Sequence, residues 1–154
     1  MNRVEKLRNY IDEILLNMID NEERRCAYVH LYGVAQYAAL LALKRGEDAE
    51  LATMAGMLHD IYTYAKMDSK DHAHKGAILA REILIDLDIT TGDETDMICN
   101  AIYNHSDKIT MHTEFTELLK DADVLQHILY NTSFEIYENE IARYENLKKE
   151  LQIL

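Results

Sequence analysis

A chain of 154 residues with no proline and only five glycines lacks the residues that punctuate sheets and tight turns, and it is predicted to be mostly helical. The apolar spacing agrees. Val4, Leu7, Ile11, Ile14, Leu15 and Met18 step at helical intervals and predict a first helix ending near Asp20. A second is expected over about residues 22–44, closed by Gly46, which suits a left-handed cap. Asp48 can cap a third that reaches about Tyr62, and the polar stretch 63–70 reads as a loop. Asp71 is placed to cap a fourth helix to about Asp86, and Thr91 to Asp93 start a fifth that reaches His105. Residues 113–130 hold one or two more. Thr132-Ser133-Phe134-Glu135 fits a capping box before a final helix. Its stripe of Phe134, Tyr137, Ile141, Tyr144, Leu147 and Leu151 is expected in the core, with a homodimer seam as the alternative. The expected architecture is an all-α bundle of about seven helices. No linker, repeat or low-complexity tract divides it, so residues 1–154 are read as one domain.

Composition narrows the partners. A net charge of −12 argues against a nucleic-acid backbone or an anionic membrane as the main one. A phosphorylated small molecule stays open, because bound cations would reverse the local field. Cys26 and Cys99 lie on apolar helical stretches without metal-binding spacing and are expected to be reduced core thiols. The first twenty residues are amphipathic and charged rather than a secretory signal. No stretch is read as approaching the roughly 20 apolar residues of a membrane span. A cytoplasmic protein is the expectation.

Within Ala55-Gly56-Met57-Leu58-His59-Asp60-Ile61, a carboxylate and an imidazole share an apolar helix, which is costly unless both are paired. His30, His72, His74, His105 and Asp123 are the available partners. Each has an ordinary reading alone. His30 shares a face with Cys26, Val34, Tyr37 and Leu41, as a hydrogen-bonded core histidine would; His105 can offset a helix dipole. Asp123 can be a cap or a surface residue, and His59 with Asp60 a buried pair. One of His72 and His74 is expected in solvent, and His112, after a polar loop, reads as surface. Together they offer nitrogen and carboxylate oxygen with no thiolate. That set suits iron, manganese, zinc, cobalt or nickel better than calcium or a structural zinc. Such ions polarise phosphoryl oxygens and activate water, and a bridging Asp60 would hold two of them about 3.5–4 Å apart. Ala52, Ala55 and Gly56 are small enough for another helix to approach and bring His30 within reach. No serine or cysteine nucleophile has a base at a persuasive spacing.

The order His30, His59-Asp60, Asp123 resembles the HD superfamily of metal-dependent phosphohydrolases over roughly residues 26–130. His72-Ala73-His74-Lys75-Gly76-Ala77 and Ala101-Ile102-Tyr103-Asn104-His105-Ser106 are similar to two further motifs of its dinuclear branch. The nearest likeness there is to small bacterial di-iron enzymes that hydrolyse dinucleoside tetraphosphates. The resemblance implies one metal on His30, His59, Asp60 and Asp123, and a second on Asp60, His72 and His105, with iron favoured. Asp60 and His59 would be the catalytic pair. Many relatives carry a lysine or glutamate soon after this pair; here the first lysine is Lys66. Lys66, Lys75 and Lys108 are the candidate contacts to substrate phosphate. The expected activity is hydrolysis of a phosphate ester or anhydride in a nucleotide or related metabolite. The alternatives are a non-catalytic metal or nucleotide-binding module and a di-iron oxygenase.

Overall fold

In a computed structural model that describes residues 2–153, the chain forms eight helices: α1 (Arg3–Leu16), α2 (Asn21–Arg45), α3 (Ala49–Leu58), α4 (Ile61–Lys66), α5 (His72–Leu87), α6 (Gly92–Asn104), α7 (Glu114–Tyr130) and α8 (Glu138–Leu151). No strand occurs among the described residues. The outermost positions of the expected domain, Met1 and Leu154, lie outside them.

Capping chemistry explains most starts. The side chains of Asn2, Asp20, Asp48 and Thr113 accept backbone N–H groups of the first turns of α1, α2, α3 and α7. Thr91 and Glu94 form a reciprocal capping box at α6. Gly46 ends α2 in the left-handed conformation that its missing Cβ permits.

Four expectations are corrected. The first helix stops at Leu16, because Asp20 turns outward to cap α2. The third breaks at His59, where Asp60 leaves helical geometry, and the stretch read as a loop begins with α4. Asp71 precedes α5 but makes no side-chain cap. The box at residues 132–135 does not form; α8 starts at Glu138, and Phe134, Tyr137 and Ile141 are exposed. Of the expected apolar stripe only Leu147 is buried, with Tyr144 and Leu151 packed at the core's edge.

The core is built around α2 and α7. α2 packs against α3 and α7, while α5 pairs with α6. By length and composition α2 is apolar enough to cross a membrane, which the sequence reading missed. In this fold its Leu31, Val34, Ala35, Ala38, Leu41 and Ala42 are buried. A Cβ on Gly56 would lie 2.5 Å from Ala35 Cα, so α2 and α3 touch backbone to backbone there. This contact sets His30 opposite His59. Helix α7 is buried almost all round, with Glu117, Lys120, Asp121 and Asp123 included. Cys99 is buried as expected, but Cys26 is exposed, and both are free thiols.

Candidate metal centre

Five segments deliver the cluster: His30 from α2, His59 and Asp60 from the α3–α4 break, His72 from the start of α5, His105 at the end of α6, and Asp123 from α7. All six residues that the resemblance singled out therefore meet. His30 Nε2 lies 3.0 Å from His59 Nε2 and 3.2 Å from Asp60 Oδ2. The other oxygen, Asp60 Oδ1, has His105 Nε2 at 3.2 Å and His72 Nε2 at 3.3 Å. Asp123 Oδ1 is 3.7 Å from both His30 Nε2 and His59 Nε2. The two oxygens of Asp60 thus divide the histidines into two sets.

The far side of each ring fixes its tautomer. His59 Nδ1 donates to Gly56 O at 2.7 Å, His105 Nδ1 to Ile102 O at 2.6 Å and His72 Nδ1 to Ser69 O at 3.1 Å. His30 Nδ1 donates to the Gln126 side-chain carbonyl at 2.7 Å. Carbonyls only accept, so the hydrogen sits on Nδ1 and each Nε2 turns a lone pair inward. Lone pairs and carboxylate oxygens then face one another, which is repulsive unless a cation lies among them. Asp60 Oδ1 and Asp123 Oδ1 are buried and accept no hydrogen bond despite their close nitrogens. Donors about 2.0–2.2 Å from a common ion stand about 3.0–3.4 Å apart, close to the separations seen. The residues present fit a divalent transition-metal centre.

The electrostatics agree. Burial opposes charge on Asp60, yet His59, His105 and His30 hold its carboxyl well below the usual range. Burial likewise opposes charge on Asp123, and Lys108 and His59 outweigh it. Burial pushes His59 down. It also works against a charge on His30, but Asp60 and Asp123 raise that imidazole to about 9. The cluster draws positive charge to itself, and the proton that His30 Nε2 takes up beside the two carboxylates is the one a bound cation would displace.

The remaining candidates are sorted by position. His74 is paired with Asp71 at 2.8 Å and stacked on Tyr103, whereas His72 reaches Asp60. Lys108 is buried, donating to Asp123 Oδ2 at 2.5 Å and to His105 O at 2.9 Å; it orients a carboxylate instead of reaching outward. Lys75 pairs with Asp68 and Lys66 is exposed at the end of α4; among the described residues neither forms a hydrogen bond or ion pair with the cluster. His112 is half-buried, contrary to expectation, because the Lys120 ammonium donates to its Nδ1 and Glu117 accepts its backbone N–H.

Sequence reasoning missed His127. Its Nε2 is 3.2 Å from Asp123 Oδ1 and its Nδ1 3.0 Å from Glu140 Oε1. The signal was available, since His127 follows Asp123 by four residues and shares its helix face. Gln126 and Tyr64 carried no such signal. A cavity of about 330 Å³, lined by Cys26, Val29, His30, Asp60, Tyr64 and Tyr130 among others, opens onto the cluster. Burial pushes the Tyr64 phenol up, with Asp60 adding to it, so its hydroxyl stays protonated there. A neighbouring cleft of about 590 Å³ shares Gln126, His127 and Tyr130 and adds Phe134, Ile136 and Tyr137.

Comparison with known proteins places these residues in context. The HD domain family matches residues 27–128. Ribonuclease Y of Enterococcus faecalis is 32% identical over 120 residues, 77% of this chain and 21% of that protein. Ribonuclease Y of Listeria welshimeri is also 32% identical over 120 residues, 78% of this chain and 22% of the relative. The chain spans about a fifth of the length of these curated relatives. A crystal structure described as a predicted HD superfamily hydrolase, from an uncultured Thermotogales bacterium, shares the fold with a TM-score of 0.66. At 20% identity it aligns with 98% of this chain, covering 90% of its own.

Proposed function

The chain belongs to the HD domain family, and from that premise we propose that it is a metal-dependent phosphohydrolase that cleaves a phosphate ester or anhydride in a nucleotide or related metabolite. The observation that carries this reading is the convergence of four Nε2 atoms on the carboxylates of Asp60 and Asp123, with every ring fixed from behind. His30, His59, Asp60 and Asp123 would hold one divalent ion, and Asp60, His72 and His105 a second. Iron, manganese, zinc, cobalt and nickel all suit this donor set, with iron the preferred expectation. When bound, the ions would polarise a phosphoryl oxygen and activate water for attack on phosphorus.

The chain's own residues prepare that chemistry. The carbonyls of Gly56, Ser69 and Ile102 hold three imidazoles by Nδ1 with Nε2 directed inward, so that they act as ligands without reorganising. Lys108 offsets the charge of Asp123 Oδ2 and leaves Oδ1 facing the cluster. Tyr64, in the lining of the cavity beside the cluster, would offer a hydroxyl donor toward a substrate oxygen. Each of the two neighbouring cavities falls in the size range of small-ligand sites. A phosphate at the cluster would leave Tyr130, Phe134 and Tyr137 as surfaces for a base to stack on.

A second reading, cleavage of short RNA, is favoured by the name of the curated relatives. The net charge of −12 opposes a long polyanion but not an oligonucleotide of a few residues. Phosphate release from a nucleotide panel, run beside cleavage of short oligoribonucleotides with each metal, tests both. Turnover of nucleotides supports the first reading; cleavage of RNA alone replaces it with the second. No turnover of either, with metal bound, overturns a hydrolase.

A further inference from the structure

His127 lies on the opposite side of Asp123 from Lys108 and has no part in the two ligand sets above. Its surroundings are nonetheless those of a ligand. Asp123 Oδ1, buried and accepting no hydrogen bond, faces three ring nitrogens: His127 Nε2 at 3.2 Å, and those of His30 and His59 at 3.7 Å. The His127 ring lies parallel to that of His30, with centroids 5.4 Å apart. Nδ1 of His127 meets Glu140 Oε1 at 3.0 Å, and Glu140, from α8, is only 3% exposed.

A buried carboxylate whose second oxygen, Oε2, has no hydrogen-bond partner is costly unless it has a task. Here it fixes a ring. A carboxylate that accepts Nδ1–H turns Nε2 into an oriented lone pair, the arrangement that supports metal-bound histidines. Without a cation that lone pair would meet Asp123 Oδ1, another acceptor, head on.

We propose that His127 is a further protein ligand of the ion held by His30, His59, Asp60 and Asp123, and that Glu140 is the residue that positions it. The proposal rests on the metal-centre reading above. It ties α8, which contributes nothing else to the cluster, to the ion.

Cobalt(II) titration of the full chain tests this, read by d–d absorption and by competition with a chelator. His127→Ala should weaken binding of the first equivalent and alter the band shape. Glu140→Gln should weaken it by about 10–100-fold, as loss of an outer-shell partner does. His74→Ala should match the wild type. If His127 were instead an imidazolium between two carboxylates, removing its positive charge would strengthen binding, and that result overturns the proposal. So does wild-type affinity and spectrum in both His127→Ala and Glu140→Gln. Should His127→Ala fail to fold, Glu140→Gln, which keeps the imidazole, decides alone. If His59→Ala abolishes cobalt binding while both other variants retain it, only the role of His127 falls. If the wild type binds no cobalt, the metal centre itself falls with it.

Discussion

Asp60 faces His30 with one oxygen and both His72 and His105 with the other, so its removal reaches every part of the cluster. Asp60→Ala is expected to remove bound metal and to lower turnover by at least about 100-fold, since outer-shell partners alone are worth 10–100-fold. Elemental analysis and a rate assay on one preparation check this; full metal content with wild-type turnover would refute the assignment. His72→Ala should lower occupancy of the second position, whereas His74→Ala should leave metal unchanged and stability within about 0.5 kcal/mol. Metal counting on the pair separates them. At this scale the sequence was readable where chemistry sits in adjacent positions, as in His59-Asp60. It misled where a long side chain doubles back. Lys108 grips Asp123, fifteen positions away, a contact that no local pattern reveals. His127 was readable from its spacing to Asp123, but its partner Glu140 comes from another helix.

Among the elements, the contact of α2 with α3 is the tightest and the most exposed to test. A methyl group on Gly56 would strike the backbone of Ala35, so Gly56→Ala should cost about 1–3 kcal/mol by overpacking. A lower thermal midpoint with weaker metal binding is expected; an unchanged midpoint would mean that the helices separate freely. The small residues at 52, 55 and 56 announced this approach in the sequence. The break at Asp60 was not announced, because apolar residues run through it without a glycine or proline. The last helix was misjudged because the apolar stripe at 134–141 looks like a core face, while the core is already closed by α7.

Helices α7 and α8 are joined by buried charge. Glu117 pairs with Lys120 at 2.9 Å and Arg143 at 2.8 Å. Burial pushes its carboxyl up, but these partners pull it below the ordinary value. A carboxyl lowered in the folded state stabilises above its unfolded pKa, about 4.3, and that contribution is lost as pH falls through the lower folded value. Glu117→Gln should therefore flatten the fall in stability below about pH 4.3. Denaturant midpoints measured from neutral to acidic pH would show this, and an unaltered acid slope would contradict it.

For the molecule as a whole, the proposed ions join five segments spread from α2 to α7 and gather cations in a chain of net charge −12. Metal that binds only the folded state should stabilise it, by about 2.7 kcal/mol at a hundredfold excess over Kd. Melting with and without metal should show a midpoint rise of several degrees that a chelator reverses; no rise would mean that the segments are already fixed without it. The all-α architecture was legible because the lack of proline and the 3.6-residue period agree along most of the chain. The closing of five remote segments on one point was legible only through the order of the motifs, since tertiary distance leaves no trace in local spacing. The most direct test is the metal content of protein purified without chelators, before and after reconstitution with iron or manganese. Close to two transition-metal ions per chain are expected. A protein that holds none even after reconstitution would contradict it, leaving six inward-facing acceptor residues as a buried polar network.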